Sequence, residues 1–169
     1  MSAFREIPVK DITDNPFKLI GEDWGLVAVK NNDGCNMMTV AWGGVGIMWR
    51  KPAAFTFIRP QRFSFPLLEN EEYFTICFFD ESQREALRLC GTKSGRDTDK
   101  VKETGLTPVY DEKAPYFKEA RLVLVCKKMY AQFLNEESVI DGETVLKNYD
   151  NDYHKMYISE IVKVLENEA

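Results

Sequence analysis

Short apolar runs, bounded by polar and turn-forming residues, recur through most of this chain. The pattern is clearest in WGLVAVKN (24–31), CNMMTVAW (35–42), AAFTFIRP (53–60) and YFTICFF (73–79). These short runs are rich in β-branched and aromatic residues and are bounded by Asn, Asp, Gly or Pro, the signature of strands. Two longer runs, EARLVLVCKKMYAQFL (119–134) and KMYISEIVKVLE (155–166), bring the predicted strands to about six. NNDG (31–34) reads as a hairpin turn, because Asn, Asp and Gly tolerate the positive φ such turns need. Strands this short and this numerous predict a barrel or a sandwich.

Three segments shift to a helical pattern. In DESQREALRLCG (80–91), Asp80 is placed to cap the N-terminus with Gln83 three residues on; Ala86, Leu87 and Leu89 form an apolar face, and Gly91 is the expected stop. In SGRDTDKVKETG (94–105), Ser94 and Asp97 have capping-box spacing and Gly105 ends the turn. RFSFPLLENE (62–71) offers Ser64 near an N-cap and Pro66 in the first turn. With no repeat, low-complexity stretch or linker, the expectation is one domain over residues 1–169.

Composition narrows the class. A chain of 169 residues that is 44% hydrophobic can bury a core without disulfides or a structural metal. The net charge of −5 argues against a nucleic-acid partner, which needs a broad basic face. The acidity is uneven: from Leu134 onward nine acids meet three bases, leaving 19 bases against 18 acids in the rest. Cys35, Cys77, Cys90 and Cys126 are far apart, with one histidine, His154, so zinc-ligand spacing is absent and no metal site is expected. Cys77 and Cys126 lie in apolar runs and read as buried small hydrophobes. The start MSAFREIPVKDI has no apolar signal region and nothing approaches a membrane span, so a cytoplasmic location without membrane partners is expected.

Candidate chemistry sits in the basic middle of the chain. KSGRD (93–97) combines the glycine Gly95, the hydroxyl of Ser94 and the guanidinium of Arg96, with Lys93 and Lys100 nearby; at the start of a helix these suit a phosphate. A solvated inter-helix turn is the competing reading. IRPQRFS (58–64) places Arg59 and Arg62 at a strand end before Ser64, either as a second anion cradle or as surface ion-pairing groups. In CNMMTVAWGG (35–44), Asn36 and Thr39 flank Met37 and Met38; such an edge suits a flat heteroaromatic ring, while methionines also fill cores. Neither a Walker nor a Rossmann glycine pattern is present, and GGVG (43–46) matches neither, which disfavours nucleotide triphosphates.

Taken together, NMMTVAWGG, MWRKPAAFTFIRPQRFS, YFTICFFDE, LCGTKSGRDTDK, GLTP and EARLVLVCK resemble the flavin reductase-like family, in its flavoredoxin branch of FMN-binding split barrels, over roughly residues 17–164. The resemblance implies a mainly β, six-stranded Greek-key split barrel with short peripheral helices, forming a homodimer with FMN near the subunit interface. It implies that Asn36, Met37, Met38, Thr39 and Val40 run along the isoalloxazine, largely by backbone contacts. Arg59, Arg62 and Ser64 would then surround the ribityl phosphate or its approach, with Ser94, Gly95, Arg96 and Lys100 supplying the remaining anion contacts. Trp42 and Trp49 are expected over the flavin, at the dimer seam or in ordinary packing. His154 precedes the last strand as in family reductases, which implies a catalytic role on the nicotinamide or flavin side, such as proton donation. Ser159 and Glu160 replace the family's following Gly-Glu, and an ordinary exposed strand-start histidine is the alternative. The implied activity is hydride transfer from NADH or NADPH to FMN, the alternative being a flavoredoxin-type electron carrier with a protein redox partner. The missing Ser-His-Asp set and paired catalytic carboxylates fit redox work that a cofactor performs.

Overall fold

The longest strand organises the molecule. In the computed structural model, which describes residues 4–168, strand β10 (Lys155–Asn167) runs for 13 residues. It pairs along its length with β9 (Leu122–Phe133), and irregularities at Ile158/Ser159 and Ile161/Lys163 bend it. Bulges re-aim a strand, and here the two halves take different neighbours on the other side. The first half pairs with β5 (Lys51–Ile58), and the second with β1 (Phe4–Ile7). The remaining strands are β2 (Gly25–Asn31), β3 (Gly34–Val40), β4 (Gly43–Met48) and β6 (Tyr73–Phe78). All neighbours are antiparallel, in the order β3-β2-β6-β9-β10-β5-β4 with β1 on β10. This curved eight-stranded sheet is the split barrel, and β7 (Pro108–Val109) and β8 (Tyr116–Phe117) form a small separate ribbon.

The sheet is covered on both faces, which explains the nearly continuous apolar runs. Along β2, Val27 and Val29 enter the barrel core with Leu68, Phe74 and Tyr157. Leu26 and Ala28 point the other way, against Leu87, Cys90 and Phe117. Cys77 and Cys126 are fully buried, and all four cysteines are free. The helices are short: α1 (Pro16–Lys18), α2 (Ser64–Asn70), α3 (Arg84–Thr92), α4 (Lys100–Thr104) and α5 (Gly142–Val145). Among the described residues no helix is long and apolar enough to cross a membrane.

All six predicted strands are present, as is the two-residue turn pairing Asn31 with Gly34. Two predicted helix boundaries are wrong. Gly91 does not end α3 but lies inside it, where an added Cβ would stand 3.4 Å from Cβ of Thr39; a small residue lets the helix lie on β3. The helix expected at Ser94 begins only at Lys100, capped by Asp99, whose side chain accepts from N of Lys102. Residues 94–99 are therefore a turn closed by Asp97 N donating to Ser94 O, and Ser94 and Arg96 lie outside the helix that follows. Ser64 is the first residue of α2 rather than its cap, and its hydroxyl is used elsewhere. Strands β1 and β4 were not anticipated. β4 carries three glycines, and its turn to β5 holds Trp49 and Arg50 at φ of 50° and 61°, a conformation those side chains seldom adopt.

Candidate functional site

Strand β3 is at one end of the sheet, bonded only to β2, so alternate backbone groups on its outer side lie outside the ladder. Two neighbouring cavities open along it. One, of about 230 Å³, is lined by Met38, Thr39, Val40, Ala41 and Trp42, with Phe57, Arg59, Arg62 and His154 opposite. The other, of about 410 Å³, is bounded by Asn36, Cys35, Phe63, Gly95, Arg96, the Asp97–Asp99 turn and Lys100. Neighbouring residues of β3 and of the Arg59–Phe63 segment line them, so the two adjoin as a trough: an aromatic end that also holds Arg59 and Arg62, and a basic end where Arg96 and Lys100 stand among Asp33, Asp97 and Asp99.

At the basic end the backbones come unusually close. A Cβ on Gly95 would stand 2.4 Å from Oδ1 of Asn36 and 2.5 Å from Cδ1 of Phe63. Asn36 is itself fixed, because it is buried and its Nδ2 donates to Oγ of Ser64 at 2.6 Å. Ser94 Oγ accepts from N of Arg96, and the Arg96 guanidinium lies over Phe63 while donating to O of Gln61 at 3.1 Å. Lys100 does not face solvent: the residue is 4% exposed, and its ammonium donates to O of Met37 at 2.9 Å and O of Cys90 at 3.0 Å. Burial, and then the nearby Arg62, push Lys100 down to about 8. Burial and the neighbouring Arg59 likewise lower Arg62, which reaches only carbonyls of Cys90 and Gly91 at 3.4 Å. Among the described residues neither Arg62 nor Arg96 pairs with a carboxylate.

At the aromatic end Arg59 is already engaged. It pairs with Asp152, donates to O of Asn148 at 2.8 Å and lies over the Tyr149 ring at 5.3 Å. His154 is buried, not the exposed strand-start residue that one reading allowed; its Nδ1 is 2.8 Å from the Tyr149 hydroxyl and its ring 5.3 Å from that of Trp42. Burial, and then Arg59, hold the imidazole down to about 4, so it is neutral near pH 7. Proton donation by an imidazolium therefore does not fit this environment. Thr39 Oγ1 donates to O of Leu87 at 2.5 Å, and Met37 is core filler, contributing its backbone rather than its side chain. Met38 spans both roles, in the barrel core and at the cavity wall.

Thus the structure gathers Met38, Thr39, Val40, Arg59, Arg62 and His154 around one cavity, and Asn36, Gly95, Arg96 and Lys100 around the other. Ser64 and Ser94 sit behind these walls as hydrogen-bond supports. Sequence reasoning missed Phe57, Phe63 and Tyr149. Phe63 lay within the quoted RPQRFS motif, and Tyr149 five residues before the sole histidine, but nothing in the pattern gave their direction. Among the described residues no group of three or more His, Cys, Asp or Glu could hold a metal.

A split barrel with a mixed aromatic and basic trough along its edge strand is the class of protein this geometry defines. The flavin reductase like domain model matches residues 21–169, and the chain belongs to that family. Similar solved structures include an FMN-binding domain of a flavin reductases-like enzyme from Shewanella baltica OS155, with a TM-score of 0.68 at 15% identity over 97% of this chain and 77% of that one. Flavoredoxin of Desulfovibrio vulgaris (Miyazaki F) gives 0.68 at 20% identity, covering 97% and 78%. Nitrilotriacetate monooxygenase component B from Bacillus cereus gives 0.66 at 16%, covering 94% and 79%. At these identities the likeness establishes the fold. No curated protein matches the chain in sequence.

Proposed function

We propose that this protein is an FMN-binding flavin reductase. The observation that carries the reading is the polarity of the trough. One cavity is walled by Trp42, Phe57, Met38 and Val40 with Arg62 among them; the adjoining one holds Arg96, with Gly95 keeping the backbone close, and neither arginine has a carboxylate partner among the described residues. A planar ring system bearing one terminal phosphate matches both ends, and the free backbone groups of β3 suit the polar edge of such a ring. In this reading Arg62 and Arg96 contact the phosphate, while Arg59, held by Asp152, lines the approach. Asn36, Ser64 and Ser94 hold the cradle's shape, and Lys100 adds positive potential from below. Bound FMN would supply the two-electron chemistry, taking hydride from NADH or NADPH and leaving the oxidised nicotinamide. The chain's own part is to bind and orient the ring, keep water from one face and present His154 as a neutral group.

A homodimer belongs to the same reading. The open edge of β4 exposes Val45 and Ile47, and the strained turn after it displays Trp49 at 53% exposure, a surface suited to a second copy. Light scattering of the purified protein tests this, and a monomer at micromolar concentration overturns it.

A visible spectrum with and without added FMN tests the cofactor; a colourless protein that binds no FMN ends the reading. Anaerobic bleaching by NADH or NADPH at catalytic rates supports the reductase. A protein that binds FMN tightly but is reduced only by a redox partner is the flavoredoxin-type carrier instead.

A further inference from the structure

The turn before the last strand is more tightly built than its exposure requires. Asn148 O accepts from Arg59, Asp150 N donates to Oδ1 of Asp152 at 2.8 Å, and Asp152 Oδ2 accepts from Arg59 and from Gln61. Asn151 takes the left-handed conformation at φ 56°, which asparagine tolerates. The product of this bracing is the placement of one ring. Tyr149 stacks on Tyr153 at 4.6 Å, lies under Arg59 and meets His154 edge-on, with its hydroxyl 2.8 Å from Nδ1.

We propose that Tyr149 is a positioning residue that locks His154 in the Nε2–H tautomer, making the sole histidine an obligate hydrogen-bond donor toward the cavity. Burial raises the Tyr149 hydroxyl above its ordinary range, so near neutral pH it carries a proton that it can donate to Nδ1 at 2.8 Å. A neutral imidazole has one N–H; if Nδ1 accepts, Nε2 carries the hydrogen. Nε2 has no protein partner among the described residues, yet it is not among the fully buried unpaired polar atoms, so it opens to the cavity His154 lines. The ligand chemistry selected is a carbonyl or amide oxygen beside the aromatic wall. That ligand side rests on the flavin reading; the tautomer does not. The charged and titratable groups around the ring are Arg59, which disfavours its protonation, Asp152, which favours it, and Arg62, Tyr149 and Tyr153.

The test uses the single histidine as its own probe. Long-range ¹H–¹⁵N correlation on the protein as purified reads both ring nitrogens without overlap. The expected result is a pyrrole-type Nε2 and a pyridine-type Nδ1. Tyr149→Phe keeps the stack on Tyr153 but removes the donor, so the two nitrogens move toward averaged shifts. Its imidazole also protonates at higher pH than the wild type, because a bond to the neutral form is gone. Tyr149→Phe that melts like the wild type but loses the tautomer signature supports positioning. A protonated Nδ1 in the wild type, or an unchanged signature in Tyr149→Phe, overturns the proposal whether or not flavin binds. Should Tyr149→Phe not fold, the wild-type nitrogen shifts decide alone. Failure of FMN binding with the tautomer intact would strike the flavin reading and leave this one standing.

Discussion

Gly95→Ala tests the basic end of the trough most sharply. The new methyl group would lie 2.4 Å from Asn36 Oδ1 and 2.5 Å from Phe63 Cδ1, about 1 Å short of ordinary contact. Gly95 does not have a positive φ, so the cost is contact and not backbone strain. Asn36 cannot yield cheaply, since it is buried and its amide is committed to Ser64. The turn can: residues 94–99 lie outside any strand or helix. It should lift by about 1 Å and carry Arg96 with it. Overpacking of this kind costs roughly 1–3 kcal/mol, and a yielding turn places the loss of stability near ~1 kcal/mol. A displacement of that size takes charge-assisted bonds out of their short range, so FMN should weaken about tenfold, or ~1.4 kcal/mol. Riboflavin, which lacks the phosphate, should weaken less than threefold. Gly91→Ala is the matched control, because its Cβ would meet Thr39 at an ordinary 3.4 Å inside a helix that favours alanine. Flavin fluorescence titration and thermal unfolding measure both quantities. Gly95→Ala with wild-type FMN affinity, or with equal losses for FMN and riboflavin, would refute the assignment of this turn to the phosphate.

Arg96→Ala should weaken FMN by about 10- to 100-fold, the value of one charge-assisted contact, with riboflavin nearly unaffected; equal losses in fluorescence titration remove Arg96 from the phosphate site. The depressed His154 predicts a stability profile. Its folded value of about 4 lies below the ordinary 6.5, so the unfolded chain binds more protons between those pH values. Stability should be fully present above pH 6.5 and fall toward pH 4, by on the order of 2–3 kcal/mol from this group; urea unfolding of His154→Gln should show a shallower fall, and an identical profile refutes the burial argument. Arg50→Gly should raise the melting temperature, because glycine accepts the φ of 61° freely; relief of roughly 1–2 kcal/mol of left-handed strain outweighs the roughly 0.4–1 kcal/mol that glycine's freer unfolded chain costs, and a lower melting temperature shows that Arg50 makes contacts that matter more.

What was legible in the sequence was whatever local periodicity or steric law dictates. Six strands and the Asn31–Gly34 turn followed from alternation and turn chemistry. Strand β4 was hidden because GGVGIM has too few side chains to alternate, and because its hairpin turn uses Trp49 and Arg50 where Asn-Gly would have signalled it. The delayed start of α4 was equally hidden, since Ser94, Asp97 and Asp99 are all plausible caps and only Asp99 is used. In the site, residue types pointed to an anion, but the division of labour came from contacts 28 and 63 residues apart along the chain. Asn36 to Ser64 and Lys100 to Met37 turn three of the predicted ligands, Asn36, Ser64 and Lys100, inward as supports.

That division also bears on why an acidic chain keeps positive charge here. Several half-buried cations among the described residues are compensated: Arg59 by Asp152, Arg121 by Asp14, Lys155 by Glu69 and Lys163 by Glu112. Arg62 and Lys100 are drawn in without such partners; Arg59 disfavours the charge on Arg62, and Arg62 disfavours that on Lys100. Burial of like charges without a counter-charge costs stability. The backbone carbonyls of Met37, Cys90 and Gly91 offset only part of that cost. A dianion beside these cations would offset the remainder, converting that cost into affinity for phosphate. The same trough offers no such return to a neutral ring alone, so the arrangement supports recognition of the phosphate as much as of the heterocycle.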